Sequence, residues 1–299
     1  MPQSRSIAVP FAAACLGIAL FSAMDAAMKG VSIAIGAYNA MLWRAAIGTA
    51  LSALIFLAKR HPLPRRGAMR LHLLRGGITA GMAVLFFWGI VRVPLAEAIA
   101  ISFIAPLIAL YLAAVMLGET VRGTAILGSL LGLSGVGVIL VARAGGDYGP
   151  EALPGALAVL ASAVLYAFNI VLMRKQALVA SPVEVATFQN LTTFGFLALA
   201  APLLGALPPV AQLPGLTLSA MLAICSLLLL SWAYARAEAQ SLIAVEYTAF
   251  GWAALFGWLI FAESITWAVL GGTGLIIIGC VIAARQGKVA EDVRMEAAV

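Results

Sequence analysis

Residues 87–135 read FWGIVRVPLAEAIAISFIAPLIALYLAAVMLGETVRGTAILGSLLGLSG. A second copy of this stretch lies 144 positions further on. Trp88 meets Trp232, Arg92 meets Arg236, Phe103 meets Tyr247, Glu119 meets Glu263, Thr120 meets Ser264, and Gly128 and Gly135 meet Gly272 and Gly279. Upstream the match continues at an offset of 145, with Phe21 on Tyr166, Met28 on Met173, Lys29 on Arg174 and Arg44 on Gln189. A chain of 299 residues that repeats at close to half its length consists of two like halves.

Composition identifies the solvent. Hydrophobic residues make up 64% of the chain and charged residues 10%, and the mean hydropathy is +1.08. Soluble domains carry roughly a quarter charged residues, so this much apolar surface implies a bilayer. The net charge of +6 is spread over short loops, with no basic face interleaved with aromatics, which argues against a nucleic-acid partner. Cys15, Cys225 and Cys280 sit in apolar runs without disulfide or metal-ligand spacing, so neither a metal nor a cofactor is expected. The run from Ile7 to Met28 is longer than a signal-peptide core and is followed by many like it, which reads as an uncleaved first span.

A crossing helix needs about 20 largely apolar residues. Ten segments meet that length approximately, at 7–28, 37–58, 71–91, 94–117, 123–142, 152–173, 182–204, 213–235, 239–261 and 266–284. The expected fold is therefore an all-α membrane protein. Its ten transmembrane helices would form two five-helix repeats, 7–142 and 152–284, followed by a cytoplasmic tail at 285–299. An odd number of spans per repeat makes the second repeat enter the membrane from the opposite side. Inverted repeats of this kind place a substrate site near the midplane, in a central cavity between the halves. Loop Lys and Arg residues favour the cytoplasm. With both termini inside, Arg5, Lys59 to Arg75, Arg122, Arg174, Lys175, Arg236 and Arg285 fall inside, and only Lys29, Arg92 and Arg143 fall clearly outside.

Charges inside the spans are the first candidates for function. Arg44 and Glu246 lie deep, where a charge costs about 2.5–3.5 kcal/mol and must face a cavity or a partner. Asp25 and Lys29 are four apart on one helix face and are expected to pair. Glu97, near the outer boundary, is expected to meet water. Glu119 and Glu263 read as surface turns, with Thr120 and Ser264 capping the next helices; a gating role is the alternative. Trp88 and Trp232, each four residues before an arginine, read as interfacial anchors and are carried as gate candidates beside those glutamates.

Phe21, Trp43, Phe86, Phe103, Tyr166, Asn169, Gln189, Tyr247 and Phe250, together with Arg44 and Glu246, are the candidate lining of the cavity. Each alone is an ordinary packing residue; as a set they suit a large, mainly neutral site for an organic molecule. Pro106 is expected to bend the fourth span, and the glycines of the fifth and tenth spans to pack closely. His61 and His72 fall in or beside an inner loop, and no Ser/His or Asp-rich constellation lies within the spans. A polytopic enzyme is therefore a remote reading.

Ile104-Ala105-Pro106-Leu107, Leu117-Gly118-Glu119-Thr120 and the glycine-rich fifth span, echoed by Phe261-Ala262-Glu263-Ser264 and the glycine-rich tenth, carry a family likeness. Over residues 7–284 the chain resembles the EamA-type ten-span members of the drug/metabolite transporter superfamily, nearest in look to the YddG-like aromatic amino-acid exporters. The resemblance implies a multi-pass transporter of the bacterial inner membrane, monomeric or weakly dimeric, whose helix bundles rock around a central cavity. Its expected partners are a small-molecule substrate and the lipid bilayer. Its expected function is export of amino acids and related metabolites by alternating access, with efflux of toxic organic cations as the alternative. Glu246-Tyr247 and Phe250 depart from the proline pattern of the first half, and Glu246 is the candidate for proton coupling.

Overall fold

The computed structural model describes residues 8–117, 123–145, 149–177, 179–234 and 248–285. Within them the chain forms α1 (Ala8–Ile35), α2 (Ala37–Ala58), α3 (Arg66–Ile90), α4 (Leu95–Ser102), α5 (Ala105–Leu117), α6 (Gly123–Gly145), α7 (Ala152–Ala177), α8 (Pro182–Leu204), α9 (Leu213–Tyr234), α10 (Thr248–Phe261) and α11 (Trp267–Arg285). No strand occurs among the described residues. Among the described residues, six helices are long and apolar enough to cross a membrane, and four shorter apolar helices accompany them. Gly36 joins α1 to α2 at a φ of 79°, a left-handed backbone that favours glycine and lets two long helices meet with a single residue between them.

The fourth apolar segment breaks rather than bends. Pro106 has no N–H to offer the carbonyl of Ser102, and its ring crowds that carbonyl. The chain tightens just ahead of it: the Phe103 N–H reaches the carbonyls of Ile99 and Ala100, both at 3.2 Å, and the Ile104 N–H reaches that of Ile101. Helical bonding restarts with Leu107 and Ile108, both donating to the Ile104 carbonyl at 3.1 Å. The expected kink is thus a discontinuity between α4 and α5.

Four antiparallel helix pairs organise the bundle. Gly17 of α1 packs on Leu230 of α9, and Val31 lies by Gly215, so α1 and α9 run in opposite directions. Helices α3 and α7 do the same: Gly89 lies against Val159, the Ser162 hydroxyl donates to the Met82 carbonyl at 2.8 Å, and Arg75 reaches Asn169 and Gln176. In α2 and α8, Gly48 abuts Asn190, Thr187 Oγ1 donates to the Ser52 carbonyl at 3.1 Å, and the Tyr38 hydroxyl reaches the Leu197 carbonyl. Finally, Gly135 and Gly128 of α6 meet Gly272 and Gly279 of α11 backbone to backbone. A Cβ at Gly135 or Gly279 would strike a carbonyl oxygen of the facing helix, so these glycines permit the close approach expected of them. Between the pairs runs one buried cluster that includes Met24, Met28, Met41, Ile90, Leu95, Ile104, Leu216 and Ile276.

Candidate functional site

Two buried polar clusters bracket the bundle near opposite ends of α3. His72 and Ile90 are 18 residues apart, about 27 Å of helix at 1.5 Å per residue, close to the thickness of a bilayer core.

At one end stands Lys29. The expected Asp25–Lys29 pair does not form. Instead Lys29 Nζ donates to the Val93 carbonyl at 2.7 Å and pairs with Glu263, whose other oxygen accepts the Leu95 N–H at 2.7 Å. The reason is chemical: α3 ends at Ile90 and α4 begins at Leu95, so the linker leaves a free carbonyl and a free N–H that a lysine–glutamate pair satisfies together. Glu97, expected in water, is fully buried here and interacts electrostatically with Lys29. Arg92 lies 3.5 Å from the Trp88 ring centroid, and its Nε donates to Glu151 beside α7 at 2.8 Å. A pocket of about 350 Å³, lined by Lys29, Ile33, Arg92, Pro94, Phe261 and Glu263, opens beside this latch. The cap of α11 is Thr266, whose hydroxyl accepts the Val269 N–H at 3.3 Å. Ser264 therefore does not hold the role expected of it.

At the other end, residues expected near an inner loop are in the interior. His72 is fully buried and Arg75 is 8% exposed. Arg75 Nε donates to Asn169 Oδ1 at 2.8 Å, and its Nη1 donates to Gln176 Oε1. That fixes the Gln176 amide with its NH2 toward His72 Nδ1. Nδ1 must then accept, so a neutral His72 carries its proton on Nε2, 3.1 Å from Glu184 Oε1. The His72 ring stacks on Phe188 at 5.2 Å. Glu184 is held at the start of α8, where its N–H donates to the Ser181 hydroxyl. A chain of five polar side chains thus ties α3 to both α7 and α8. The sequence carried a signal for it: His72 and Arg75 are three apart and Asn169 and Gln176 seven apart, each pair on one helix face.

The remaining candidates are dispersed. Asn169 belongs to the Arg75 chain, and Tyr166, 41% exposed, interacts electrostatically with Arg75. Its repeat mate Phe21 is 45% exposed. Trp43 Nε1 donates to the Ala206 carbonyl at 2.8 Å beyond α8. Phe86, Phe103, Trp88 and Phe250 are partly buried against the main cluster, while Trp232 is 38% exposed. Gln189 donates to Thr193 at 3.2 Å, and its Oε1 is buried without a partner, as is Arg44 Nε. Glu119, Glu246 and Tyr247 lie outside the described residues.

Comparison with known proteins settles the class. The EamA-like transporter family matches twice, over residues 10–141 and 153–285. The chain belongs to this family. Among curated relatives, the pseudopaline exporter CntI of Pseudomonas aeruginosa (strain UCBPP-PA14) is 27% identical over 276 residues, spanning 90% of this chain and 93% of the relative. The aromatic amino acid exporter YddG of Ancylobacter novellus is 37% identical over 120 residues, 40% of this chain and 41% of the relative. A solved crystal structure shares the fold at a TM-score of 0.60 and 23% identity, covering 93% of this chain and 96% of its own. The EamA-like chain is thus a multi-pass membrane transporter and not an enzyme. Its double match falls on either side of residues 142–152, and the two polar clusters each join residues from both matched regions.

Proposed function

We propose that this EamA-like protein is a secondary transporter of the bacterial inner membrane that exports amino acids, chiefly aromatic and hydrophobic ones, and related metabolites by alternating access. Its ten spans form two inverted repeats, 7–142 and 152–284, with residues 285–299 and the N-terminus in the cytoplasm. The crossed helix pairing carries the reading. Shifted by 145 residues, α1 falls on α7 and α3 on α9. The α1–α9 pair is then exchanged with the α3–α7 pair, while α2–α8 and α6–α11 exchange with themselves. An axis of this kind lets the two halves trade geometries and so open a midplane site to either side. The Lys29–Glu263 latch closes the outer end in this reading, and the Arg75–His72 chain closes the inner end. Relatives named as exporters, one of them of aromatic amino acids, support the direction and the substrate class.

The test is counterflow in proteoliposomes holding the purified full-length protein, with and without a pH gradient. Labelled phenylalanine, tryptophan and leucine are expected to exchange well above protein-free vesicles. Dependence on the gradient would identify proton coupling. Transport of cationic dyes with no amino-acid flux would replace this reading with organic-cation efflux.

A further inference from the structure

Asp25 is 2% exposed, in the interior of α1. Its natural partner is Lys29, one turn on, but the linker after α3 and Glu263 have claimed that ammonium. Asp25 Oδ2 is consequently buried with no hydrogen-bond partner. On the neighbouring helix α2, Arg44 Nε is likewise buried and unpartnered. The two side chains interact electrostatically. A third orphan is Gln189 Oε1 on α8. Gln189 is the repeat mate of Arg44, and because Gly48 abuts Asn190 where α2 crosses α8, its backbone lies about five residues, roughly 7–8 Å, from that of Arg44 along the crossing.

Buried polar groups without partners are rare in folded proteins and call for an explanation. Four such atoms occur among the described residues; Ser32 Oγ lies two turns further along α1, and the other three are chemically sorted: one cationic donor, one anionic acceptor and one neutral acceptor. We propose that Asp25 and Arg44 form the headgroup site for a zwitterionic α-amino acid, with Arg44 taking the carboxylate, Asp25 the ammonium, and Gln189 Oε1 a further ammonium proton. A guanidinium suits a carboxylate because its planar fork offers parallel N–H donors. The zwitterion adds no net charge, so it completes the site without leaving either residue uncompensated. An amine alone would leave Arg44 unpaired and an acid alone would leave Asp25 unpaired. Sites built to pair a group reject strongly the analogue that lacks it. Half-buried Trp43, Phe103 and Phe250 pack against the core cluster that holds Met24 and Met28 of α1 and Met41 and Leu42 of α2, and in this assignment they supply apolar surface for the side chain of the amino acid. This assignment rests on the amino-acid exporter reading and adds the residues that recognise the common headgroup.

The experiment compares three probes with one side chain: L-phenylalanine, phenethylamine and 3-phenylpropanoate. Counterflow through the wild-type protein is expected to favour phenylalanine at least ~10-fold over each of the others, as expected when a buried polar group is left unpaired. Arg44→Gln should bring phenylalanine down to the level of phenethylamine. Asp25→Asn should bring it down to the level of 3-phenylpropanoate. Thermal melting of the detergent-purified wild type gives an independent reading, with stabilisation expected from phenylalanine alone. Wild-type protein that carries or is stabilised by the amine or the acid as well as by the amino acid would overturn the headgroup site while leaving amino-acid export standing. Folded variants that slow all three probes equally would also overturn it. If none of the three crosses or stabilises the protein, the amino-acid reading falls and the site falls with it.

Discussion

At the scale of residues, burial turns ordinary polar side chains into demanding ones. Lys29 is 4% exposed and Glu263 16% exposed at the side chain. Removing one member of a buried ion pair costs about 3–5 kcal/mol because the other is left uncompensated. Glu263→Gln or Lys29→Met alone should therefore lower the melting temperature of the purified protein clearly. The double variant should recover much of the loss, a coupling that a double-mutant cycle reads directly. Gln176→Leu tests the opposite end. It strips the acceptor from Arg75 and the donor from His72 at once, and each buried unsatisfied group costs about 1–3 kcal/mol. Gln176→Glu keeps the acceptor for Arg75 but offers no amide donor to His72 Nδ1, so it should recover only part of that loss. The Lys29–Glu263 partnership was not legible in the sequence. Lys29 and Glu263 are 234 positions apart, and a lysine four residues from an aspartate on one helix gave a nearer, wrong partner.

At the scale of elements, the sequence was read more successfully, because a helix is decided by its own residues. Segments expected at 37–58 and 182–204 coincide with α2 and α8. The third starts five residues earlier than expected, at Arg66, since arginines in a first turn are tolerated once helical bonding carries on into an apolar run. His72 and Arg75 already lie inside the expected segment; packing against α7 and α8 is what buries them. Glycines separate by environment in a way the sequence does not reveal. Gly135 faces the backbone of α11, whereas a Cβ on Gly137 would meet nothing within 4 Å. Gly135→Ala should destabilise by about 1–3 kcal/mol through overpacking. Gly137→Ala should be neutral or stabilising by up to about 1 kcal/mol, since alanine is the better helix former. Thermal melts of the two variants, run side by side, separate backbone contact from helix propensity.

At the scale of the whole molecule, two like halves build one set of contacts between them, and both polar clusters join one half to the other. A multi-pass transporter organised in this way is expected to have both ends in the cytoplasm. Fusion of a reporter active only inside the cell to the C-terminus should give signal, and one active only outside should give none. The reverse pattern would refute an even number of crossings. If the two clusters close the two ends in turn, weakening one should bias the protein toward opening at that end. In Glu263→Gln, labelling of a cysteine introduced at Ile33, which lines the pocket beside Lys29, should speed up in membranes.

Sequence alone determined the solvent, the helical class, the two-fold repeat and the family likeness. Each of these depends on composition, on local periodicity or on spacing along the chain, all of which survive without knowledge of the fold. Tertiary structure decided which buried charge meets which. It gave Lys29 to Glu263 and the α3–α4 linker, drew His72 and Arg75 into a chain with Gln176, and left Asp25 and Arg44 with atoms unpaired. Those outcomes depend on distances between helices far apart in sequence, where a charge in a low-dielectric interior settles on whatever donor or acceptor packing brings within reach.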